Sequence, residues 1–209
     1  NSQCRAEFSL HGAELTSFKN CRTGDEYLWQ ADPAIWNRSA PFLFPNVGRL
    51  KDNTYFYQNK KYYLGQHGFL RDVEFSLEQE TPDEVVLSFA SNQTTLKKYP
   101  FHFRVTVTYR LSENHLSVCF KLENMDQQTI YFSYGNHAGF TAPIKSDLTF
   151  EDYYLEIKPE ESRERIVLTE EKQADLLHTT KEESAPIHLD HELFKHDALI
   201  YKTAGKTEI

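Results

Sequence analysis

"FHFRVTVTYRL", residues 101–111, sets Phe101, Phe103, Val105, Val107 and Tyr109 on one side of an extended chain and His102, Arg104, Thr106, Thr108 and Arg110 on the other. A period of two, rich in β-branched and aromatic residues, marks a strand with one face in a core and one in water. Ser112-Glu113-Asn114 interrupts the pattern, and "HLSVCFKLEN" (115–124) resumes it with Leu116, Val118, Phe120 and Leu122 facing inward. Two alternating runs separated by a short polar turn predict an antiparallel hairpin.

The same period extends outward from this hairpin. "VEFSLEQE" and "DEVVLSFAS" read as two strands joined through Thr81-Pro82-Asp83, and "TIYFSYG", "LTFEDYYLEI" and "DALIYKT" read as further strands. A short helix is expected at "TEEKQADLLHTT" (169–180), where a capping threonine precedes acidic residues. The charged stretch "KPEESRERIVLTEEK" (158–172) predicts solvated surface. No repeat of fixed period and no Gly/Ser-rich linker divides the chain. The expected architecture is all-β, a large antiparallel β-sandwich occupying residues 1–209 as one domain. "ALIYKTAGKTEI" reads as a strand, a turn at Ala204-Gly205-Lys206 and the opening residues of another strand. The fold is therefore expected to be C-terminally incomplete, continuing past Ile209 or completed by another segment.

Composition narrows the function. With 209 residues, 39% of them hydrophobic and 14% aromatic, the chain can bury a sizeable core. A formal net charge of -8 argues against a nucleic-acid binder, which needs a basic surface to neutralise phosphates. No apolar run approaches the roughly 20 residues that span a bilayer, and no amphipathic anchor or signal-peptide pattern is present. Cys4, Cys21 and Cys119 form neither a disulfide framework nor a CxxC site, which fits a reduced, cytoplasmic protein. The sequence carries no signal for an oligomeric state.

Three polar stretches stand out against the β background. "PFLFPNVGRLKDN" (41–53) sets Arg49 among apolar residues, where a guanidinium fork suits hydroxyls or carboxylates. "GQHGFLRD" (65–72) packs His67 between two glycines with Arg71 and Asp72 shortly after, and alone it reads first as a turn in which Arg71 or Asp72 pairs with a neighbour. "YFSYGNHAGF" (131–140) presents His137 beside Gly135 and Gly139. Glycine admits close backbone approach, and histidine exchanges a proton near neutrality. His188, His191 and His196, with Asp190 and Asp197, match neither HExxH nor zinc-finger spacing, so no metal is expected there. No GxSxG, P-loop or GxGxxG occurs.

"AELTSFKN", "YLWQADPAIWNRSAPFLFPNVGRLKDN", "GQHGFLRD", "YGNHAGF" and "FKHDALIY", taken in this order, resemble the aldose 1-epimerase (galactose mutarotase-like) family, in particular its bacterial LacX-type branch. The likeness runs over nearly the whole chain, and its motifs are specific as a set. It implies a β-supersandwich with an open sugar cleft, a small-molecule sugar (hexose or hexose phosphate) as partner, and no metal or other cofactor. Carried onto matching positions, it implies that Arg49 binds substrate, that His67 is the first active-site histidine and that His137 is the second, a general acid. It further implies that Asp197 holds sugar hydroxyls and that Arg71 corresponds to an arginine of the hexose-phosphate epimerase branch. Trp29, Trp36 and Phe69 could supply an aromatic platform for a sugar face. The family's general-base glutamate lies in a Glu-Pro-Trp-like context that occurs nowhere here; the late Glu192 and Glu208 lack it. The expected function is aldose 1-epimerase, an isomerase acting by acid–base ring opening. Its rivals are a hexose-6-phosphate 1-epimerase and a non-catalytic carbohydrate-binding protein of the same fold.

Overall fold

The computed structural model describes residues 1–158, 163–169, 174–183, 185–195 and 198–202. The chain divides into two compact units, Asn1–Thr141 and Ala142–Ile209.

In the first unit, β1 (Cys4–Phe8) and β2 (Leu15–Asn20) form one antiparallel hairpin, and β4 (Thr54–Tyr57) and β5 (Lys60–Tyr63) form another. The two-residue β3 (Phe42–Leu43) pairs with β10 (Gly135–Asn136), Leu43 opposite Gly135 and Phe42 opposite Asn136. The largest sheet runs in the order β6 (Ser76–Glu80), β7 (Glu84–Ala90), β8 (Phe103–Ser112), β9 (His115–Asn124), antiparallel throughout. The α1 helix (Gln93–Lys98) links β7 to β8; Asn92 caps it and Thr95 completes a capping box, a start signal that a search for hydrophobic period overlooks.

The alternation of 101–111 produces the core. Phe101, Phe103, Val105, Val107 and Tyr109 are each at most 2% exposed, and they join Phe42, Phe44, Leu70 and Phe75 in one cluster. Each such side chain contributes about 1.5–3 kcal/mol through apolar burial. The Tyr109 hydroxyl donates to the Ala13 carbonyl at 2.8 Å, and burial pushes this phenol far above its ordinary pKa. The predicted hairpin pairs in register, with Val107 opposite Phe120 and Tyr109 opposite Val118. Its second strand is less buried than the alternation suggests: Leu116, Phe120 and Leu122 are half-buried and Val118 is exposed. β9 ends the sheet order, so its side chains have a neighbouring strand on one side.

"TIYFSYG" does not form the expected long strand; the ladder is confined to Gly135–Asn136. The opposing chain reaches Pro45 just beyond β3, and proline has no N–H to extend the ladder. Ser133 instead donates its N–H to the Pro45 carbonyl, while its hydroxyl accepts from Val47 N.

In the second unit, β11 (Tyr154–Leu155) pairs with β14 (Ile187–His188). β12 (Arg163–Leu168) lies between β13 (Ala174–Glu182) and β15 (Ile200–Lys202). The helix expected across 169–180 is replaced in its described part by β13, whose ladder to β12 outweighs the local capping signal. "LTFEDYYLEI" begins with a 3-10 turn at Phe150–Asp152, held by Thr149 and the Asp152 carboxylate, and narrows to the two residues of β11. The stretch 158–172 is not uniformly solvated either: Arg163 and Ile166 are buried, and Arg163 donates to the Ala185 carbonyl at 2.8 Å. Among the described residues no helix is long and apolar enough to cross a membrane.

Candidate functional site

The segment from Ser39 to Pro45 is buried and organises the polar stretches around it. At its start the buried Glu14 carboxylate accepts the N–H groups of Ser39 at 2.5 Å and Ala40 at 3.0 Å. A buried charge is tolerated when paired and hydrogen-bonded, and Arg38 lies 3.6 Å from the other Glu14 oxygen. Arg38 also donates to the Arg71 carbonyl at 2.9 Å and to the Asp72 carboxylate. One guanidinium thus ties the entry of the buried segment to the end of "GQHGFLRD".

Further along, the Phe44 carbonyl accepts from Phe69 N at 3.0 Å and Leu70 N at 3.2 Å. This brings Gly68 so close that a Cβ there would lie 2.2 Å from the Phe44 oxygen, and its φ is +72°. Only glycine fits both the contact and the left-handed backbone.

His67, the preceding residue, is also left-handed, with φ 66°. A non-glycine residue in this region persists only when its surroundings impose it, a feature concentrated at functional sites. Gly48 imposes it here: His67 N donates to the Gly48 carbonyl at 2.8 Å, and Gly48 N donates to His67 Nδ1 at 3.0 Å. An Nδ1 that accepts leaves the proton of the neutral ring on Nε2. The half-buried ring has its pKa lowered by desolvation first, then by the Arg71 and His137 charges. His67 is therefore a neutral ring presenting Nε2–H as a donor.

His137 approaches from the other side of the buried segment. Its N–H donates to the Pro41 carbonyl at 3.0 Å, and Asn136 beside it is in the ladder with Phe42. The ring is exposed and meets the edge of Trp36 at 5.0 Å between centroids. The His67 and His137 centroids are 5.9 Å apart, although they lie 70 positions apart in sequence, 137 less 67.

Arg49 is exposed and donates to Gln66 Oε1 at 3.1 Å. The Gln66 Nε2 atom lies 3.3 Å from His67 Nε2. Arg71 donates to the Gln66 carbonyl at 3.0 Å, and its Nε lies 3.9 Å from Asp72. That buried Nε has no hydrogen-bond partner. Arg49, His67, Arg71 and His137 are thus linked through Gln66 and Gly48 or by ring proximity. Asp197 lies outside the described residues. Phe69 is only 4% exposed and packs into the core, so it offers no platform. Trp29 donates from its indole to the Trp36 carbonyl at 2.8 Å, and both indoles are half-buried. Sequence reasoning overlooked Glu14, Arg38 and Gln66; only the adjacency of Gln66 to His67 could have drawn attention to one of them.

The family model for aldose 1-epimerase matches residues 1–205. The chromosomal LacX protein of Lactococcus lactis subsp. lactis is 34% identical over 212 aligned residues, which cover 95% of this chain and 69% of that protein. The crystal structure of a galactose mutarotase related enzyme from Lactobacillus acidophilus superposes with a TM-score of 0.94 at 40% identity, covering 98% of this chain and 68% of that one. A galactose mutarotase-like protein from Lactobacillus casei gives 0.85 at 32% identity, covering 96% and 69%. These likenesses agree with the all-β antiparallel fold described above.

Proposed function

This chain belongs to the aldose 1-epimerase family, and from that premise we propose that it interconverts the α and β anomers of a hexose by acid–base ring opening. The observation that carries the reading is the facing pair of histidines, 5.9 Å apart, one fixed as a neutral donor and one exposed.

A base removes the proton of the C1 hydroxyl while an acid protonates the ring oxygen. The bond between C1 and the ring oxygen breaks, leaving an open-chain aldehyde. Rotation about C1–C2 turns the other carbonyl face toward the ring-forming hydroxyl, and closure with reversed roles gives the second anomer. His137 supplies the acid: its exposed ring can reach a bound sugar, giving a proton to the ring oxygen on opening and taking it back from the same hydroxyl on closure. His67 donates Nε2–H to the ring oxygen or a neighbouring hydroxyl, and Arg49 orients the sugar. Asp197 is assigned to sugar hydroxyls from the sequence likeness. The base corresponds to the family's glutamate, for which these 209 residues contain no Glu-Pro-Trp context.

One observation favours a second reading, a hexose-6-phosphate 1-epimerase. A cavity of about 370 Å³ is bounded by Gln66, Arg71, Asp72, Thr94 and Lys98. It offers two cations, Arg71 and Lys98. Such a surface suits a phosphate, although Asp72 already stands beside Arg71.

Polarimetry of the complete gene product on freshly dissolved α-glucose, α-galactose and their 6-phosphates tests both, because the family's general-base context does not occur among these 209 residues. Acceleration with the free sugars is expected. Acceleration confined to the phosphates moves the assignment to the second reading, and sugar binding without acceleration makes this a carbohydrate-binding protein.

A further inference from the structure

Gln66 stands between Arg49 and His67, and its amide cannot suit both partners at once. Its side chain spans Arg49, which donates to Oε1 at 3.1 Å, and His67 Nε2, which lies 3.3 Å from the amide nitrogen. Because His67 Nδ1 accepts from Gly48 N, Nε2 carries a proton. The amide NH₂ and the imidazole N–H are therefore two donors facing each other. Turning the amide over gives His67 an acceptor but sets the NH₂ group against the Arg49 guanidinium, which has no acceptor to offer. Either orientation leaves one contact mismatched.

A hydroxyl oxygen has no such conflict. It accepts through two lone pairs, so one oxygen can receive the Arg49 N–H and the His67 Nε2–H together, and its own proton rotates to a third partner. Gln66 is exposed, so its side chain can swing into water at little cost. Its main chain stays in place because Arg71 donates to the Gln66 carbonyl at 3.0 Å.

We propose that Gln66 is a specificity-determining residue of this site. Its amide occupies the position of a substrate hydroxyl between Arg49 and His67, and a polyhydroxylated ligand displaces it by relieving the donor–donor conflict. The inference rests on the sugar-binding reading above. It selects ligands with a hydroxyl at that point over deoxy analogues, which cannot displace the amide and leave His67 Nε2–H facing it.

Gln66→Glu and Gln66→Ala in the full chain test it, followed by steady-state mutarotation and by proton NMR titration of the His67 ring. In Gln66→Glu the carboxylate accepts from Arg49 and His67 at once, which removes the conflict and holds the side chain in place. KM for the hexose is expected to rise about tenfold or more, the cost of breaking one charge-assisted hydrogen bond. The kcat should change far less, and the His67 titration should move to higher pH. In Gln66→Ala the competitor is gone, and KM should be no higher than in the unaltered chain. An unchanged KM and an unmoved His67 titration in Gln66→Glu overturn the proposal. So does a KM raised equally in both variants, which would make the amide a direct sugar ligand. If the complete gene product binds hexose without turning it over, the epimerase reading ends, and dissociation constants from the same NMR titrations decide Gln66 by the same order of variants. A chain that binds no hexose overturns both.

Discussion

His67 and His137 reach the buried Ser39–Pro45 segment on loops of different construction. His67 is half-buried, left-handed at φ 66°, and bonded to Gly48 through both its backbone N–H and its Nδ1. His137 is exposed, with its backbone N–H on Pro41 and its ring against the edge of Trp36. The first ring has one tautomer imposed on it and its charged form disfavoured. The second is open to solvent and to a bound ligand. The proposed ring opening uses both kinds of group: a donor that does not reorganise and an acid with room to approach the ring oxygen.

Exchanging the two histidines for alanine is the strongest way to break this contrast. Loss of His137 should lower kcat by about 10²–10⁴-fold, the usual contribution of a general acid. The urea unfolding midpoint should scarcely move, because the side chain is exposed. Loss of His67 should cost less in rate and more in stability, since Gly48 N loses its acceptor. If His137→Ala unfolds the protein while His67→Ala affects only turnover, the contrast is inverted and the assignment of roles falls with it.

The glycines sharpen the same comparison. At Gly68 an added Cβ would meet the rigid Phe44 carbonyl at 2.2 Å from a backbone at φ +72°. Gly68→Ala should therefore cost about 2–4 kcal/mol, read from chemical denaturation. At Gly139, in the His137 loop, the added atom meets the Trp36 ring at 2.9 Å and Trp29 Cβ at 3.0 Å. A ring edge can yield where a peptide carbonyl cannot, so Gly139→Ala should destabilise less. Equal losses would mean that the two loops are equally rigid.

What was legible in the sequence follows from how far each feature reaches along the chain. The pairing of β8 with β9 was legible because the alternation of each strand and the turn between them are contiguous. His67 and His137 stood out because histidine beside glycine has little purpose in an ordinary turn. The pairing of Arg38 with Asp72 was not legible, because the contact joins residues 34 apart, and Glu14 reaches Ser39 across 25. Neither pair carries a local pattern. Residues 174–180 misled for the opposite reason: the preceding cap and acids signal a helix, while the pairing of Thr179 with Ile166, which makes a strand, depends on a distant neighbour. Gln66 shows its conflict only after the His67 tautomer is known, and that depends on the backbone of Gly48.

The smallest expected effect is also the one that tests the imposed tautomer most directly. Burial lowers the His67 pKa from its ordinary value of 6.5, and Arg71 and then His137 lower it further. Between that lowered value and 6.5 the unfolded chain binds more protons than the native one, so stability must rise with pH across the window. The contribution is fully present above about 6.5 and is lost as pH falls through the native value. Urea midpoints between about pH 4 and 8 should therefore rise more steeply for the unaltered chain than for His67→Gln, which has nothing to titrate at this position. The acid limb of kcat/KM should lie below 6.5 for the same reason. Protonation would turn Nδ1 into a donor facing the Gly48 N–H, and a peptide N–H whose chain is held by the returning His67 N–H bond cannot turn away. Parallel midpoint curves for the two proteins would mean that the ring is free to protonate, and that Gly48 does not impose the tautomer.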